Sequence, residues 1–183
     1  YIETNWADLT VAQLEAEIPY FDSVMSVNVK DGTASELTIE NRGKNLWYPN
    51  FSTAVSNTSY EVLPTGVKIT STTGTFKHAI FIVPVKPGYE YTCSMNYRVN
   101  EGKGRIYLRN HDINGLFVSI VRATEGLTGS GSFLHTFTSA GSYIYFYLYS
   151  TYDVDSVGDV DYLNIQLEEG SVATDYVPPR TDS

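Results

Sequence analysis

From about residue 35 onward, apolar and polar residues alternate with the period of two expected of half-buried β-strands. Across residues 143–149, Ile144, Phe146 and Leu148 fall on one face and Tyr143, Tyr145, Tyr147 and Tyr149 on the other. Across residues 105–109, Ile106 and Leu108 point inward while Arg105, Tyr107 and Arg109 point outward. Across residues 162–167, strict alternation sends Leu163, Ile165 and Leu167 inward and Tyr162, Asn164 and Gln166 outward. Further strands are predicted at 37–40, 60–63, 67–71, 78–85, 89–99, 117–122 and 133–138. Turn signals divide them, among them Pro64-Thr65-Gly66, Pro87-Gly88, Asn114-Gly115 and Gly129-Ser130-Gly131. A long series of short strands without helices between them predicts an all-β jelly-roll β-sandwich.

The first 34 residues differ and are expected to form a separate segment, with the sandwich spanning 35–183. A short N-terminal helix is predicted over 8–18. Thr10 and Gln13 have capping-box spacing, Val11, Leu14 and Ile18 share a stripe, and Pro19 stops it. Trp6 is expected to anchor this segment, and Lys30-Asp31-Gly32-Thr33 predicts a turn. The opening Tyr-Ile-Glu-Thr has neither an initiator Met nor the pattern of a signal peptide, so the chain is expected to be a piece of a longer protein.

Composition narrows the chemistry. The 183 residues carry a formal charge of −9, which argues against nucleic-acid and anionic-membrane partners. A single cysteine, Cys93, leaves no intrachain disulfide or cysteine-zinc cluster, and its strand position predicts an inert core thiol. Charged residues make up only 18%, and fifteen tyrosines dominate the aromatic content. The outward Tyr/Arg faces are therefore the informative feature. Aromatic rings stack on the C–H faces of sugars, and Arg, Asn and Gln bond their hydroxyls. The same residues also serve as ordinary cross-strand packing or as protein-interface anchors. The candidate ligand-binding residues are Trp47, Arg105, Tyr107, Arg109, Asn110, His111, Tyr145, Tyr147 and Tyr149. For Trp47 the alternative is a ring that closes one end of the core, and for Asn110 and His111 a solvated turn.

No catalytic motif is present, and adjacent Glu168 and Glu169 would point to opposite faces of a strand, so no enzyme is expected. Four aspartates, Asp153, Asp155, Asp159 and Asp161, are the oxygen ligands Ca²⁺ prefers. The EF-hand spacing fails, because Val157 and Asn164 stand at the fifth and twelfth positions. A solvated acidic loop is the stronger expectation, and no cofactor is expected.

Two segments carry a resemblance. Asn41-Arg42-Gly43-Lys44-Asn45-Leu46-Trp47 resembles the opening of domains in minor structural proteins of Gram-positive siphophages and prophages. Residues 165–179, beginning Ile165-Gln166-Leu167-Glu168-Glu169-Gly170, resemble their closing strand, and 20–27 their connector. This resemblance implies a jelly roll similar to carbohydrate-binding modules and galactose-binding-like domains. It implies a non-catalytic adhesion module of a phage tail, baseplate or fibre protein. The implied location is the virion, acting outside the host cell. The implied partners are host wall or capsule polysaccharide and other tail proteins. A spacer or oligomerisation domain, with the Tyr/Arg face buried in a homotrimer, is the alternative. Neither motif carries sugar-contacting residues, so none is transferred from the family.

Overall fold

A computed structural model describes residues 27–30, 33–37, 45–49 and 52–178 of the chain. The helix expected over 8–18, Trp6 and the start of the opening motif lie outside the described residues. Two compact units are present, Tyr1–Arg42 and Gly43–Ser183. In the first, β1 (Val27–Lys30) pairs antiparallel with β2 (Thr33–Leu37), closing on Lys30 opposite Thr33 where the turn is predicted. β2 thus lies with β1 in the first unit.

The second unit is a jelly-roll sandwich of two antiparallel five-stranded sheets. Its strands are β3 (Ser52–Ala54), β4 (Thr58–Leu63), β5 (Gly66–Ser71), β6 (Lys77–Pro84) and β7 (Glu90–Glu101). They continue as β8 (Arg105–His111), β9 (Phe117–Ala123), β10 (Ser130–Thr138), β11 (Tyr143–Thr151) and β12 (Gly158–Glu169). One sheet has the order β10-β7-β12-β5-β4 and the other β3-β6-β11-β8-β9. Among the described residues there is no helix, and none therefore that is long and apolar enough to cross a membrane.

The alternation is realised as packing. Val67, Ile69, Cys93, Ile165 and Leu167 of the first sheet meet Phe81, Ile106, Leu108, Ile144, Phe146 and Leu148 of the second, all fully buried. Burial pushes the Cys93 thiol far up, as suits a core position with no charge partner.

Strict alternation fails in β12. Tyr162 is fully buried, whereas Leu163 is only half-buried. A β-bulge shifts the register between Leu163 and Gln166, and Asn164 takes the left-handed conformation at φ 51°. The extra residue resets the parity. Val160 and Tyr162 point inward before the bulge, and Ile165 and Leu167 after it. Gln166 is also buried, but under the tail that follows β12 and not in the core.

The opening and closing motifs meet at one place. The buried Asn45 amide donates to the carbonyls of Ile165 at 2.8 Å and Val177 at 3.0 Å. Its oxygen accepts the Trp47 N–H at 3.0 Å and the Leu167 N–H at 3.1 Å. Leu46 N–H adds a backbone bond to Leu167 at 2.7 Å. Gln166 accepts the Val177 N–H, and Glu168 accepts from Gln166 and from the Thr174 N–H, strapping the tail onto β12. The motif residues thus fasten the two ends of the unit together.

Asn45→Ala leaves two buried N–H groups and two carbonyls without their partners. We expect a loss of about 2–4 kcal/mol in urea unfolding, given about 1–3 kcal/mol for each buried group left unsatisfied. A loss below about 0.5 kcal/mol would remove Asn45 from this role.

Candidate functional site

Pairing of β8, β11 and β6 assembles the outward residues of the second sheet into one layer. Across β8 and β11, Tyr149 is opposite Arg105, Tyr147 opposite Tyr107, Tyr145 opposite Arg109, and Tyr143 opposite His111. Across β11 and β6, His78 faces Tyr149. The layer is dense. The Tyr107 and Tyr147 rings lie 5.8 Å apart, and His78 sits 5.4 Å from Tyr147 and 4.6 Å from Tyr149.

Two guanidinium groups cover this aromatic surface. Arg105 lies 4.9 Å over Tyr107 and 4.2 Å over Tyr152, while its Nε donates to the Thr124 carbonyl at 2.9 Å. Arg109 lies 4.3 Å over Tyr107, 4.7 Å over Tyr147 and 5.6 Å from Phe117. Flanked by both, Tyr107 is only 9% exposed. Cation–π contact fixes the flat side of each guanidinium.

The layer is anchored from beneath. The buried Tyr162 hydroxyl crosses the core from the other sheet and donates to the Tyr149 carbonyl at 2.7 Å, with the Arg105 carbonyl at 3.1 Å. It also accepts the Arg105 N–H at 3.2 Å. Burial pushes this phenol far up, so it remains a neutral donor. The far end is held by Gly141, where a Cβ would stand 2.2 Å from the His111 carbonyl oxygen, so the two chains touch only because that side chain is absent.

Of the nine sequence candidates, seven lie on this layer and two do not. Trp47 is 1% exposed and packs 5.9 Å from Phe81 in the core, so it offers no ring to a ligand. Asn110 has the inward parity and is 3% exposed. Its oxygen accepts from Ser139 at 3.0 Å and its amide donates to Ser119 at 3.0 Å. It is a buried pin, not the rim of a site. His111 is on the layer but covered, stacked 3.7 Å from Tyr145 with Nδ1–H donating to the Gly115 carbonyl at 2.8 Å. Tyr149 is also covered, at 6% exposure. Arg105, Arg109, Tyr145 and Tyr147 are the half-buried, reachable members.

His78, Tyr152 and the exposed Phe117 join the layer although the sequence did not single them out. His78 shares the parity of Ile80 and Ile82, but no signal shows that β6 borders β11. The four aspartates of the acidic run separate. Asp153 pairs with Lys103, Asp155 accepts the Gly74 N–H, and Asp159 and Asp161 bind cations on the other sheet. Among the described residues no cluster gathers three metal-ligating side chains.

No family model matches the chain, and no curated protein matches it. Solved structures do. The xylan-binding CBM22-1 domain of Paenibacillus barcinonensis Xyn10C is 18% identical, with a TM-score of 0.50 over 67% of this chain and 87% of that one. The N-terminal cellulose-binding domain of Cellulomonas fimi β-1,4-glucanase C is 12% identical, with a TM-score of 0.52 over 72% of this chain and 98% of that one. The C-terminal family 22 carbohydrate-binding module of Clostridium thermocellum Xyn10B is 13% identical, with a TM-score of 0.50 over 68% and 89%. The chain shares the jelly-roll sandwich of these modules.

Two outcomes test the support of the layer. Tyr162→Phe removes the hydroxyl and leaves the Tyr149 carbonyl unanswered, and we expect a loss of about 1–3 kcal/mol in urea unfolding. For pH, burial holds His78 and His135 below the ordinary histidine value of 6.5, helped by Arg109 and Arg122 respectively. The unfolded chain then binds protons first, so stability falls as pH drops below 6.5 and levels off once the folded histidines also titrate. Replacing both with Asn should flatten that slope in urea titrations; an unchanged slope would locate it elsewhere.

Proposed function

We propose that the chain is a non-catalytic glycan-binding module acting through the outer face of β6, β11 and β8. The observation that carries this reading is the layer itself. Two arginines and two reachable tyrosines lie together on one sheet. The fold supports it, since the similar solved domains include xylan-binding and cellulose-binding modules. The opening and closing motifs support a finer placement in a phage tail or receptor-binding protein, on the virion, contacting host surface polysaccharide. Single-site affinity on an open sheet is expected near about 0.1–1 mM, useful through many copies on one particle.

A second reading, a structural module that associates with another copy or a neighbouring tail protein, is favoured by a different observation. Edge strand β9 and the turn before it expose Ile113, Leu116, Phe117, Val118 and Ile120. An edge with an apolar row invites pairing with another chain.

The tagged domain should bind intact Gram-positive cells saturably, with one free sugar competing. Tyr147→Ala and Tyr145→Ala should each weaken binding about tenfold while the circular dichroism spectrum is kept. Unchanged binding in both would move the site off this face. Absence of binding by a multimerised form, together with self-association in sedimentation, would favour the structural module.

A further inference from the structure

The two outer faces of the sandwich treat their cations differently. On the β10-β7-β12-β5-β4 sheet, Lys68 is 2.9 Å from Asp159 and Arg98 is 2.6 Å from Asp161. Hydrogen bonds from Asn100 and Lys68 overcome the effect of burial and hold the Asp159 carboxyl below the usual range. On the other face, neither Arg105 nor Arg109 has a carboxylate within ion-pair distance among the described residues. The Arg109 Nε–H is buried without an acceptor. Burial pushes the Tyr149 hydroxyl up, and the charges opposing that rise are these same two arginines.

We infer that this face takes an acidic glycan, the carboxylate or phosphate of a sugar unit meeting the terminal N–H groups of Arg105 or Arg109. The inference rests on the glycan-binding function proposed above and names its ligand class. Stacking occupies the flat side of a guanidinium, and with the Arg105 Nε–H given to the Thr124 carbonyl and the Arg109 Nε–H buried, the terminal N–H groups are the donors left for an oxyanion. Stacking also removes water from the cation before any ligand arrives, which strengthens its attraction for a counter-charge. A neutral sugar is poorly served here. It needs bare ring faces, yet both arginines cover Tyr107, Tyr149 is 6% exposed, and His111 takes one side of Tyr145. The chain's charge of −9 does not forbid a polyanion, because distant carboxylates are screened beyond about 8 Å at physiological salt.

The test uses the 183-residue chain in affinity gel electrophoresis with matched polymers. Polygalacturonate is compared with its full methyl ester, and dextran phosphate with unmodified dextran. Xylan and cello-oligosaccharides serve as neutral references. At least one acidic polymer should bind about tenfold more tightly than its neutral counterpart, the worth of one charge-assisted hydrogen bond. The preferred pair then assigns carboxylate or phosphate, and raising salt should weaken that binding. Arg105→Gln and Arg109→Gln should each lower the acidic affinity about tenfold, whereas Lys86→Gln, the same charge change away from the layer, should leave it within about twofold. Equal binding of acidic and neutral partners overturns this inference and leaves the glycan function standing. Binding to none of these polymers by a folded chain overturns both.

Discussion

One hydroxyl organises the outer layer from within. The Tyr162 phenol reaches across the core to the backbone of Arg105 and Tyr149, which stand opposite each other on β8 and β11. A buried polar atom with no partner would be costly, so this hydroxyl favours the offset of the two sheets that satisfies it. The register of β8 against β11 then fixes every neighbour on the outer face. The bulge at Asn164 makes this possible, because it lets Tyr162 point inward without turning Ile165 and Leu167 outward.

The layer is less a row of bare aromatic rings than a mixed lattice of rings and cations. Tyrosines alone on a solvated sheet would bury little of their surface. With Arg105 and Arg109 lying across them, ring faces and guanidinium faces shield each other.

Much of this was legible in the alternation. The inward sets of 105–109 and 143–149 and the outward Tyr/Arg face follow directly from a period of two, and strand boundaries fell close to the turn residues. What was not legible has specific causes. A bulge adds one residue and reverses parity, so Tyr162 was placed outside and Leu163 inside. Trp47 lies in extended chain before the first strand of the sandwich, where alternation carries no information about which side faces the core. Asn110 has the inward parity of its strand, but a polar side chain there looks like a turn until its partners Ser119 and Ser139 arrive from distant positions. His78 joined the layer only through the adjacency of β6 and β11, a property of topology.

The clasp at Asn45 places the entry and exit of the sandwich side by side. Tension applied between residues 45 and 177 is therefore borne first by the Asn45 and Leu46 bonds to residues 165–177, and the strands beyond them stay unloaded until those bonds part. Load between the entry and exit of the sandwich thus passes through this clasp and not through the outer face of β6, β11 and β8.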